Sequence, residues 1–221
     1  VLYQSYRGTL KALNQVLAAK DTETRGHSER VATYALKLGQ VLGLDSPCLV
    51  GLEQGALLHD IGKVAVPDAI LLKPGPLSAD EQRVMRGHVQ HGLAIVRNVP
   101  LLSEAAHVIG EHHERFDGTG YPNQLCGDQI HIFARVFALA DALDALLSNR
   151  PYRPSQPYCV ARQEIERSVG SHFDPHVVRA FLTVPQEVWF TLREDTSSRQ
   201  FTSRLIDTAG ARTALRQMAS C

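Results

Sequence analysis

His112-His113-Glu114-Arg115-Phe116-Asp117-Gly118-Thr119-Gly120-Tyr121-Pro122 is an irregular insert in a chain that otherwise repeats its apolar residues at helical spacing. Gly118, Gly120, Pro122 and Gly127 oppose regular helix and support a defined loop over 116–127. Upstream, Leu10, Leu13, Val16 and Leu17 share one helical face; Val31, Tyr34, Ala35, Leu38 and Leu42 share another, with Gly43 as a stop. Further helices are expected over 47–59, 78–97 and 101–113, the second opening on Ser78 as N-cap with Asp80 and Glu81 in its first turn. Downstream, Phe133, Val136, Phe137, Ala140, Leu143, Leu146 and Leu147 make a strongly apolar helix that Asn149, Pro151 and Pro154 terminate, and helices over 155–169 and 175–183 follow. No run alternates with period two, so nothing demands a sheet and the expected fold class is all-α.

With 221 residues, 44% of them hydrophobic, the chain can bury one substantial core. We expect an N-terminal helix over 1–20, a main domain over 21–185, and a C-terminal tail with a short helix over 186–221, where the pattern weakens after Pro185. The chain begins with Val1 and not Met, so a fragment of a longer polypeptide is expected, with the first helix as a linker from an upstream domain. Twenty-three Lys and Arg balance 23 Asp and Glu, which excludes a net field that would gather DNA or an acidic membrane. No stretch is apolar for long enough to span a bilayer. Cys48, Cys126, Cys159 and Cys221 lack CxxC spacing and read as reduced cysteines of a cytoplasmic protein.

Ten histidines are many for this length, and several stand beside carboxylates on expected helices. His59-Asp60 ends an apolar helix, where an unpaired carboxylate would cost several kcal/mol unless an ion compensated it. Taken alone, the pair equally suits a histidine and an aspartate that satisfy each other. Asp141 interrupts an apolar helix and needs a partner; Asp144 has the same problem and suits a bond to a helix end or a neighbouring arginine. Glu23 and His27 stand four apart, on one face if that segment is helical. Glu23, His27, His59, Asp60, His88, His112, His113 and Asp141 together offer nitrogen and oxygen donors without a thiolate. That chemistry suits iron or manganese, with zinc or nickel as alternatives, and eight donors are enough for two or three divalent ions.

His59-Asp60 with Lys63, the quoted loop segment and Ala140-Asp141-Ala142-Leu143-Asp144 together resemble the signatures of the HD-GYP family, a branch of the HD-domain phosphohydrolases, over about residues 8–185. The resemblance implies an all-α HD-domain helical bundle with an inserted glycine-rich GYP loop. It also implies hydrolysis of cyclic di-GMP to pGpG or onward to GMP. Carried over by position, His59, Asp60, His88, His112, His113 and Asp141 become metal ligands, with Asp60 bridging and catalytic, and Glu23 with His27 an upstream addition. Lys63 becomes catalytic and substrate-binding, and Tyr121, Arg150 and Arg153 substrate-binding. Implied partners are cyclic di-GMP, diguanylate cyclases of the GGDEF type, an upstream sensor or receiver domain, and a second copy through the N-terminal helix. His131 and Val89 stand where the family commonly has proline, which puts the loop's shape in question but touches no ligand. Other enzyme and non-enzyme readings are an HD phosphohydrolase on another phosphoester and a nucleotide-sensing module of low turnover.

Overall fold

The computed structural model describes residues 2–20, 26–149 and 154–195. Along them run eleven α-helices: α1 (Leu2–Lys20), α2 (His27–Val41), α3 (Ser46–Leu58), α4 (Asp68–Leu71), α5 (Ala79–Arg86), α6 (His88–Val96), α7 (Ala105–Glu111), α8 (Ile132–Leu147), α9 (Tyr158–Arg167), α10 (Pro175–Thr183) and α11 (Gln186–Asp195). Among the described residues there is no strand, only isolated bridges pairing Asp117 with Cys126 and Val169 with Phe173. The all-α expectation holds. No described helix is long and apolar enough to cross a membrane.

Local chemistry sets the helix ends. Asp45 accepts the Cys48 N–H at 2.9 Å to start α3, with Pro47 in its first turn. Ser78 and Glu81 cap α5 reciprocally, the Ser78 hydroxyl accepting from the Glu81 N–H at 3.3 Å and the Glu81 carboxylate from the Ser78 N–H at 2.7 Å. Gly43 ends α2 with a φ of 77°, a conformation that favours glycine. The helix expected over 78–97 divides into α5 and α6 at Gly87, and that expected over 101–113 becomes a 3₁₀ turn, Pro100–Leu102, followed by α7.

α3 is buried from Leu49 to Leu58 and packs with α2 and α8, whose Phe133, Phe137, Leu139 and Leu143 fill the centre. Burying each such Leu or Phe stabilises the fold by roughly 1.5–3 kcal/mol. The first part of the span expected as a tail with a short helix forms α11. Trp189 and Leu192 on α11 belong to the same core, with the Trp189 ring edge-on to Tyr34 at 5.7 Å. Docking of so short a helix on the core is decided by packing and not by the helix's own spacing, which is why sequence reading missed these two anchors. Residues 196–221 lie outside the described set.

One close approach sets up the site. Gly62, in the 3₁₀ turn Ile61–Ala65, lies so near α6 that a β-carbon there would fall on the His88 carbonyl and the Gly92 nitrogen. Lys20, the last residue of α1, braces the same segment, donating to the carbonyls of Val64 at 2.9 Å and Val66 at 2.8 Å and pairing with Asp68 at 3.3 Å.

Candidate metal centre

Three helix junctions carry imidazoles to one place: His59 caps α3, His112 caps α7, and His88 follows directly on α5 and Gly87. Carbonyls in a helix's last turn lack an intrahelical N–H. Here Nδ1 of His59 lies 2.9 Å from the Ala56 carbonyl, Nδ1 of His88 2.7 Å from that of Met85, and Nδ1 of His112 3.0 Å from that of Ile109. A carbonyl only accepts, so each Nδ1 carries the proton and each Nε2 presents a lone pair.

Those lone pairs converge. Nε2 of His88 and Nε2 of His112 are 3.2 Å apart, and ligand atoms of His88, His112 and His113 all lie within 4.8 Å of one another. Burial pushes His88 below the ordinary histidine value, and burial together with the neighbouring imidazoles takes His112 to about 3 and His113 to about 2. Neutral imidazoles facing one another lone pair to lone pair repel unless a cation lies between them. The donor set therefore fits a metal ion by its own chemistry.

Asp60 joins this group to a second. One carboxylate oxygen faces His59 Nε2 at 3.1 Å and Lys63 Nζ at 2.9 Å; the other faces His88 at 3.5 Å and His112 at 3.9 Å. Burial alone would raise the Asp60 carboxyl, but its surroundings, the Lys63 ammonium at 2.9 Å among them, hold it well below the usual carboxylate range. On the His59 side, His27 has its ring centroid 5.7 Å from that of His59, and its Nε2 lies 3.2 Å from Asp141. The Asp141 side chain is 41% exposed, so it is not enclosed in the apolar core that its neighbours suggested.

Asp144 orients His27 from behind, as its place in an apolar helix required. Its side chain is 1% exposed, 2.8 Å from His27 Nδ1, and accepts from Arg30 at 2.6 and 3.0 Å and from Arg193 at 3.3 Å. Burial would lower His27, yet the bonds to Asp141 and Asp144 raise it to about 9.

The glycine loop closes the other side. The buried Glu114 carboxylate accepts the N–H groups of Asn123 at 2.7 Å and Leu125 at 3.1 Å, while Asp117 and Arg115 bond Thr119 and shape the turn. Gly118 has a φ of 80°, whereas Gly120 is needed for space, lying against the backbone of His113 to Arg115. Tyr121 stacks on His113, with centroids 4.5 Å apart and planes 19° apart.

The structure thus gathers His59, Asp60, Lys63, His88, His112, His113 and Tyr121, with His27 and Asp141 alongside. Glu23, Arg150 and Arg153 lie outside the described residues. The helical face expected to join Glu23 to His27 thus falls partly outside the described residues, within which α2 begins at His27 and Gly26 before it takes a left-handed φ of 72°. Sequence reading missed Glu114 as the loop's anchor, although a glutamate beside a histidine pair was a signal. It also missed His131, whose Nδ1 accepts the Phe133 N–H at 3.2 Å and caps α8 where the family commonly has proline.

Comparison with known proteins bears on this arrangement. The family model described as "HD domain" matches residues 11–177. A cyclic di-GMP phosphodiesterase of Thermotoga maritima is 39% identical over 194 residues, covering 85% of this chain and 53% of that protein. The 3'3'-cGAMP-specific phosphodiesterase 2 of Vibrio cholerae is 39% identical over 172 residues, covering 77% of this chain and 33% of that protein. Among solved structures, Bd1817, an HDG"Y"P protein from Bdellovibrio bacteriovorus, superposes with a TM-score of 0.55 at 26% identity, over 70% of this chain and 49% of that one. The chain spans about half or less of the length of these relatives.

Proposed function

The chain belongs to the HD domain family, in its HD-GYP branch, and we propose that it is a metal-dependent phosphodiesterase that opens cyclic di-GMP to pGpG and carries it on to GMP. The observation that carries this reading is Asp60, whose two oxygens face different imidazole sets, each bare of protons at Nε2. His59, Asp60, His88, His112, His113 and Asp141 would hold the ions, with His27 beside them, and Glu23 would bring a third. Iron or manganese suits these donors first, then zinc or nickel. Bound there, such ions supply a Lewis acid for the phosphate and a water acidic enough to attack near neutral pH.

The chain's own groups do the rest. Burial keeps His112 and His113 unprotonated at neutral pH, so they are ready as ligands. Lys63 stands at 2.9 Å from Asp60, where its ammonium meets a phosphate oxygen entering the pocket. Tyr121, held flat on His113, walls the pocket edge. Arg150 and Arg153 would grip phosphate. The same reading extends to a cytoplasmic setting, an upstream sensor or receiver domain, GGDEF partners and pairing with a second copy through α1.

A second reading, cyclic GMP-AMP as substrate, is favoured by the Vibrio cholerae relative named as specific for it. The test is to incubate metal-replete protein with each cyclic dinucleotide and resolve the products, alongside Asp60→Ala. We expect pGpG and GMP from cyclic di-GMP, and from the variant no turnover and at least one ion fewer per chain. Full activity and metal content in Asp60→Ala would remove the site assignment; preferential turnover of the mixed dinucleotide would replace the substrate.

A further inference from the structure

Arg86 ends α5 with its guanidinium carbon 4.7 Å from the centroid of the Tyr121 ring, the ring that stacks on His113. The other cations of this segment are neutralised: Arg83 pairs with Asp80 at 3.0 Å and Lys73 with Glu81 at 2.6 Å. Among the described residues no carboxylate pairs with Arg86, and its side chain is exposed. An arginine used only to decorate a helix end would be expected to find a carboxylate or solvent, not the face of the ring that borders the candidate metal centre.

We propose that Arg86 is a substrate-binding residue, holding the second phosphate of a cyclic dinucleotide while the first lies over the His88, His112 and His113 group. This rests on the function proposed above. The Tyr121 ring lies 4.7 Å from the guanidinium carbon and no carboxylate pairs with Arg86 among the described residues, so its N–H donors are left to fork onto a phosphate. A cyclic dinucleotide carries two phosphates on one rigid ring, so seating one at the imidazoles leaves the other outside their reach and in need of a separate cation. Arg86 stands one aromatic ring away from His113. The contact also fixes the guanidinium before substrate arrives, which reduces the side-chain ordering that binding requires.

The test compares the metal-loaded wild type with Arg86→Ala and Arg86→Lys on two substrates: cyclic di-GMP and bis(p-nitrophenyl) phosphate, a diester with a single phosphate. Losing a charge-assisted bond to phosphate predicts a KM for cyclic di-GMP raised ~10-fold or more in Arg86→Ala. Its kcat, metal content and rate on the single-phosphate diester should stay as in the wild type, and Arg86→Lys should fall between. Equal losses on both substrates would mean that Arg86 acts by steadying Tyr121 against His113, and would overturn the proposal, as would an unchanged KM. Should the wild type fail to turn over cyclic di-GMP, equilibrium binding of that nucleotide to both proteins still decides. Weaker binding by Arg86→Ala supports the assignment; equal affinities, or no binding by either, overturn it.

Discussion

His27 Nδ1 lies 2.8 Å from an Asp144 oxygen, so the opposite ring nitrogen is turned toward Asp141 at 3.2 Å. A carboxylate behind a histidine fixes both the ring's orientation and the nitrogen that carries the proton. The two residues are 117 positions apart, on α2 and α8, so only packing of those helices makes the pair.

Asp144→Asn should therefore injure stability and site together. It strips the buried counter-charge from Arg30 and Arg193, a loss of roughly 3–5 kcal/mol for a broken buried pair. It also releases His27, and second-sphere losses of this kind weaken metal binding by about 10–100-fold. Urea unfolding and metal titration measure the two effects. A stable variant with wild-type metal affinity would show that the network does not orient His27.

Gly62→Ala tests the close approach of the Ile61–Ala65 turn to α6. The added methyl meets backbone, which cannot rotate away, so we expect a loss near the upper end for overpacking, about 3 kcal/mol. Because Asp60 is two residues away, separation of the turn from His88 should also lower the number of ions bound per chain. Normal stability and stoichiometry in this variant would mean that the turn has room to shift without moving Asp60.

His131 gives a pH dependence outside the metal centre. Burial, with the nearby His107 and Arg135, lowers it to about 4 from the ordinary 6.5. The unfolded chain thus takes up a proton below 6.5 while the folded one does not until about 4. Stability from this group is flat above 6.5 and falls as pH drops toward 4. Protonation also removes the Nδ1 lone pair that caps α8. His131→Asn keeps a capping acceptor without titrating, so its unfolding free energy should fall less between neutral pH and pH 5 than that of the wild type. Identical acid slopes for the two proteins would refute the role.

Much of the site was legible because its signals are local. His59-Asp60 ends one helix and His112-His113 another, and apolar residues at helical spacing mark where those ends fall. The glycines at 118 and 120 likewise announce a loop, one through its φ and the other through the space it leaves. Trp189 and Leu192 escaped because docking of one short helix on the core is decided by packing and not by the helix's own spacing. The expected Glu23 and His27 pairing reaches outside the described residues, of which Gly26 takes a left-handed φ just before α2.

From the sequence alone came the helical class, the order of the helices, the glycine loop and the chemical identity of the donors, all properties of neighbouring residues and their period. Only the tertiary structure decided that Asp60 divides its oxygens between two imidazole sets, that Asp144 stands behind His27, and that Arg86 lies over Tyr121. Each of the last two pairs joins residues on different elements, and the Asp60 contacts reach across to α6 and the end of α7 from the end of α3. Such meetings depend on how buried faces pack in three dimensions, and the spacing of residues along one chain carries no record of that packing.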